Sequence, residues 1–180
     1  MSTRCKIAYQ NAMGNYVSIY CHSDGYPGGV GAILQDYYAT HEKINELFQG
    51  GNLSELGTTI GKKHAFTNRR WQPSLRGIGW ADIATECTYY HRDRGDHEDH
   101  PDIIPDLPTL LRTNSNGDIE YIYVFEDGEW FYFTGPLFSE NSRRLLDEVL
   151  DEIQDDICYR TGVYVVGQEC YHDVLELRFR

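Results

Sequence analysis

At 180 residues, with 41% hydrophobic residues and a net charge of −12, the chain has the size and composition of one globular domain with its own core. The charge opposes nonspecific adhesion to DNA or to an anionic membrane and permits a basic protein partner. No window approaches a membrane span, and the start, Met1 to Ile7, lacks the apolar run of a signal peptide.

The chain opens on a predicted β-hairpin, 4–10 and 15–22, with Gly14-Asn15 in its turn. In the second strand Val17, Ile19 and Cys21 alternate with Tyr16, Ser18, Tyr20 and His22, the pattern of a half-buried strand. It runs into His22-Ser-Asp-Gly-Tyr-Pro-Gly-Gly-Val-Gly31, a polar, glycine-rich turn expected to open a helix over about 30–39. Exposed amides at Gly28, Gly29 and Gly31 beside a helix start would form an anion site. The alternative is that these glycines serve only a tight turn and close packing. Thr40 is placed to cap a second short helix carrying Ile44, Leu47 and Phe48 on one face, and Leu53 to Leu56 reads as a further helical turn.

Residues 57–81 contain no Asp or Glu, and Lys62, Lys63, Arg69, Arg70 and Arg76 sit among Phe66, Trp71 and Trp80. Interleaved basic and aromatic residues suit nucleic-acid contact. Against the overall charge, the competing reading is a surface loop whose cations pair with the protein's own acids. Residues 83–91 are predicted as a central strand, followed by the charged run Arg92 to His100 and by prolines that keep 101–108 loop-like, with a short helix near 109–112. Asp127-Gly128 between aromatic runs predicts a hairpin, 120–125 with 129–133. The longest helix is placed at about 142–158, with Leu146, Val149, Leu150, Ile153 and Ile157 buried and Asp147, Glu148, Asp151, Glu152, Asp155 and Asp156 outward. Strands at 163–166 and 174–179 close the chain.

The expected fold class is α+β in a single domain, 1–180: a mainly antiparallel sheet with the long C-terminal amphipathic helix and the short helical pair packed on it. Strands ending side by side at His22 and His91 would bring His22, Asp24, His91, Arg92 and Asp93 to one sheet edge, a set able to do acid–base work on a phosphate or glycosyl bond. The competing reading makes these residues turn caps and local ion pairs. His97 and His100 are set among acids in what reads as an open loop, so no metal site is expected, nor any cofactor. The five cysteines form no CxxC or zinc-finger spacing. They read as reduced thiols of a cytoplasmic protein, with Cys21 and Cys87 in the core.

The 22–31 segment, Tyr90-His-Arg-Asp-Arg-Gly95 and the Glu126-Asp-Gly-Glu-Trp130 hairpin together resemble a family of small uncharacterised proteins of bacteriophages, prophages and plasmids. The resemblance covers most of residues 4–133. The 62–80 loop stands as an insertion and 135–180 as a C-terminal extension. It implies a context, small acidic proteins of mobile elements acting on host machinery or defence systems, and the host cytoplasm. The expected function is binding and modulation of a host or anti-phage defence protein through an acidic, tyrosine-rich surface that includes the carboxylates at 147–156. The alternative is a small enzyme or nucleotide-binding protein acting on a phosphate-containing ligand through 22–31 and 91–95.

Overall fold

The computed structural model describes residues 2–73, 82–115, 117–135, 137–161, 164–166 and 169–171. The first hairpin forms as its turn chemistry requires. Strands β1 (Cys5–Gln10) and β2 (Tyr16–Cys21) pair antiparallel, and the Asn11 side chain accepts the amides of Met13 and Asn15 at 3.0 Å each. A single π-helical turn, Pro27–Gly31, then leads into α1 (Ala32–Tyr37). Helix α2 (His41–Phe48) follows, with the Thr40 hydroxyl accepting the Lys43 amide.

The next stretch departs from expectation. Leu53–Glu55 is not a helical turn but strand β3, buried at all three positions. It is followed by β4 (Gly57–Thr59), β5 (Trp71–Pro73), β6 (Asp82–Glu86) and β7 (Thr88–Tyr89). The single central strand expected over 83–91 is therefore two short ones. They part at Cys87, whose amide bonds the Thr59 carbonyl. Strand β8 (Asp102–Ile104) pairs with the start of β2 in a region expected to be loop. Helix α3 (Leu107–Thr113) starts under an Asp106 cap with proline in its first turn, a position that needs no amide.

Strands β9 (Tyr121–Glu126) and β10 (Glu129–Thr134) form the aromatic hairpin. Asp127 and Gly128 both take positive φ, 53° and 88°, as a primed turn demands. Strand β11 (Arg144–Leu145) precedes α4 (Leu146–Thr161), and β12 (Tyr164–Val166) pairs with β13 (Glu169–Tyr171). The strand expected at 174–179 lies outside the described residues.

The fold class is α+β, as expected, but the sheet is mixed rather than mainly antiparallel. Its order is β11-β10-β9-β1-β2-β3-β7, with β8 also beside β2. The central pair β1·β9 and the pair β2·β3 run parallel. A second sheet is ordered β4-β6-β5. Successive residues of the central strands feed opposite faces: Ile7, Tyr123 and Phe125 pack with α1, α2 and the start of α4, while Ala8, Ile122 and Val124 pack with α3. The main sheet is thus covered on both sides, which explains strands that are aromatic throughout rather than cleanly alternating. Part of the tyrosine content works inside this core. The hydroxyls of Tyr38, Tyr89 and Tyr123 donate to the carbonyls of Gly57, Leu47 and Gly25 at 2.8–2.9 Å, satisfying polar groups that burial would otherwise strand.

Candidate functional site

The 22–31 segment is held from both ends. The His22 amide donates to Leu53 O and the Ser23 amide to Ser54 O, both at 3.0 Å, so the chain leaves β2 alongside β3. Asp24 then turns it with φ 54°, and its carbonyl accepts the Val30 amide at 2.9 Å. Gly28, Gly29 and Gly31 are buried, and the amides of Gly29 and Gly31 point at Tyr26 O. A Cβ on Gly29 would lie 2.3 Å from the Asp24 carbonyl, and one on Gly31 would lie 3.1 Å from a Leu146 methyl and 3.2 Å from the Tyr123 ring. Close packing accounts for both glycines, Gly29 within the turn against Asp24 and Gly31 against β9 and α4.

The strand ends do not meet as the sequence reading required. Strand β3 lies between β2 and β7, parallel to the first and antiparallel to the second. The chain therefore leaves the sheet in opposite directions at His22 and His91, and the residues fall into two groups. Arg92 and Asp93 form an internal knot. The Asp93 side chain is fully buried beside Arg92 at 2.9 Å and accepts the amides of Tyr89 and His64 at 2.8 and 3.1 Å. Arg92 also donates to the carbonyls of Cys87, Ile60 and Gly61 and stacks over the Tyr89 ring. Burial alone would raise the Asp93 pKa, but the Arg92 bond and the two amides together hold it below its usual value. His91 is exposed, its Nδ1 2.9 Å from Asp96 O.

His22 and Asp24 instead join residues that sequence reasoning passed over. The His22 ring Nδ1 lies 2.8 Å from the Tyr20 hydroxyl, and burial, then Arg4 and Arg69, lower its pKa. Asp24 lines a narrow crevice with Glu55, Tyr26, Ile33, Leu56 and Trp71. Glu55 is 2% exposed, and among the described residues neither carboxylate oxygen has a hydrogen-bond partner. Arg69 approaches Oε2 at 3.5 Å but gives its Nη2 hydrogen to Ser54 Oγ at 3.0 Å. Burial pushes the Glu55 carboxyl up to about 7, with Arg69 opposing and Asp24 adding to the rise. Burial likewise raises Asp24, against Arg69. The signal for this pair was faint: a lone Glu in Leu53-Ser-Glu-Leu56 looks solvated until the short strand that buries it is known.

The basic segment is divided. Arg69 turns inward to Glu55 and over the Phe66 ring, while Lys62, Lys63 and Arg70 are exposed. Arg76 lies outside the described residues. A concavity of about 680 Å³ opens between Tyr20, Asn52, Tyr90 and the acidic loop Asp96 to Asp99. Asn52 anchors it, accepting the Tyr20 amide at 2.7 Å and donating to Asp99. Among the described residues no three His, Cys, Asp or Glu side chains gather as a metal-holding set, and His97 and His100 are exposed.

Along α4, Leu146, Val149 and Leu150 are buried, and Asp147, Glu148, Asp151, Glu152, Asp155 and Asp156 are exposed. Arg144 pairs with Glu152 at 2.5 Å. Cys5, Cys21 and Cys87 are free and buried, and burial pushes the Cys87 thiol up to about 11, a poor nucleophile. No described helix is long and apolar enough to cross a membrane. Compared with models of known families, with curated proteins and with solved structures, the chain matches none.

Proposed function

We propose that this chain is an accessory protein of a mobile genetic element that binds and modulates a host or defence protein carrying a basic surface. The observation that supports it most is the open, tyrosine-and-acid groove of Tyr20, Tyr90, Asp96, Glu98 and Asp99. Tyrosine offers large contact area with a polar tip, and carboxylates at a rim steer and orient a basic partner. The groove is broad and open, a shape that suits a protein surface more than a buried small molecule. The exposed carboxylates of α4 extend the same acidic character and fit long-range attraction of that partner.

The test is capture of a partner from host lysate by the tagged chain, repeated with Asp96→Lys/Glu98→Lys in the groove and with Asp151→Lys/Asp155→Lys on α4. The reading expects one protein recovered in near-equal amount by the wild type, lost with the groove variant and weakened with the α4 variant. A chain that captures no protein, or captures it equally well with both variants, contradicts it.

A further inference from the structure

Among the described residues, the crevice between the Asp24 turn and β3 holds a carboxylate without hydrogen-bond partners and two carboxyl groups against one guanidinium. Glu55 is 2% exposed, and both of its oxygens are buried and unbonded. Arg69 offsets one negative charge with its Nη1 at 3.5 Å from Oε2, while its Nη2 and Nε donate to Ser54 Oγ and the Phe66 carbonyl and no hydrogen bond to Glu55 forms. Asp24 lines the same crevice, so among the described residues two carboxyl groups share the Arg69 guanidinium. A buried carboxylate in this state needs a donor.

Size and lining narrow the choice of that donor. The free volume is about 10 Å³, the room of a single water-sized group. That excludes a second guanidinium and admits an ammonium head. The walls beyond the carboxyls are apolar, among them Val30, Ile33 and Leu56. The Trp71 ring at the same crevice is 47% exposed. Carboxylates beside apolar walls and an open indole suit an alkyl chain ending in a cation. An anion would meet two carboxylates, and a hard divalent ion would find too few oxygens.

We propose that this crevice is a binding site for a primary ammonium group, held by Glu55 and Asp24 with its alkyl stem along Trp71. The chemistry is that of a lysine side chain or of a free aliphatic amine. When no cation is bound, a proton neutralises Glu55 instead, in keeping with its raised pKa. The site goes beyond the acidic-groove reading and uses other residues, so each can fail alone.

The test is NMR titration of the full chain at neutral pH with n-butylammonium and with Nα-acetyl-lysine amide, following the Trp71 indole N–H and the Glu55 carboxyl carbon. Both signals should shift saturably, and the Glu55 carboxyl should titrate at lower pH in the presence of the amine. Asp24→Asn and Glu55→Gln should each weaken binding about tenfold, as loss of one charge-assisted bond does. The carboxyl titration of the wild type carries the test even where Glu55→Gln fails to fold. Tighter binding of the lysine amide assigns the site to a protein side chain, and tighter binding of butylammonium to a free amine. Silence of both signals with both amines overturns the proposal, as does equal binding of tetramethylammonium, which has no N–H to donate.

Discussion

The Arg69 guanidinium stands 3.5 Å from Glu55 Oε2 and yet donates to Ser54 Oγ, at 3.0 Å, rather than to the carboxylate. Charge is partly balanced while the hydrogen-bonding capacity of Glu55 is left open. Because burial raises the Glu55 carboxyl to about 7 from its ordinary 4.5, the folded chain holds a proton there that the unfolded chain has released. Stability is therefore lost as pH rises between those two values and is unaffected by this group below the lower one. The contribution is on the order of 2 kcal/mol after screening by solvent is allowed. Urea unfolding across this window should show the decline, and Glu55→Gln should flatten it. Parallel pH profiles of wild type and variant would refute the assignment.

Asp93 behaves in the opposite sense. Its carboxylate is ionised inside the knot and accepts Arg92 and the amides of Tyr89 and His64. Asp93→Ala strands a partly buried guanidinium and two amides, and should cost about 3 kcal/mol in urea unfolding. Because its folded pKa is depressed, the contribution is present above the ordinary carboxylate pKa and is lost as pH falls through the folded value. His91→Ala, at an exposed position, should change stability by less than about 0.5 kcal/mol. A comparable loss at both positions would mean that the knot does not centre on Asp93.

Gly29 and Gly31 separate close packing from ligand contact. A methyl at Gly29 would press on the Asp24 carbonyl at 2.3 Å, while one at Gly31 would meet side-chain atoms at 3.1–3.2 Å. Gly29→Ala should destabilise by about 3 kcal/mol or more, and Gly31→Ala by about 1 kcal/mol, in the absence of any ligand. Thermal melting checks both. Unchanged melting of Gly29→Ala would contradict the packing account.

Leu146 anchors α4, fully buried and touching the position of Gly31. Leu146→Ala should cost about 2–5 kcal/mol, whereas Asp155→Lys, at an exposed position, should leave stability nearly unchanged. Urea unfolding of the two variants distinguishes a packed helix from one held by its charges.

What could be read from the sequence was local. Asp127-Gly128 announces its hairpin because a primed turn needs two positive φ values and these residues supply them. Leu146, Val149 and Leu150 announce the packed side of α4 because helical spacing is set within a few residues. Leu53 to Leu56 reads as a helical turn because the strand of three residues within it, Leu53–Glu55, buried at every position, has no period to show. Register and sheet order depend on partners far along the chain, so the parallel β1·β9 pairing and the opposed exits at His22 and His91 were beyond local pattern. For the same reason the sequence singles out Asp24 and Arg69 in separate roles but does not show the crevice that joins Asp24 to Glu55.

The measurement that tests the proposed function most directly is the dissociation constant of the captured partner at low and at moderate salt, for wild type and for Asp96→Lys/Glu98→Lys. The account predicts a one-to-one complex that weakens with salt and loses at least about tenfold in affinity with the groove variant. An affinity indifferent both to salt and to the groove variant would contradict it.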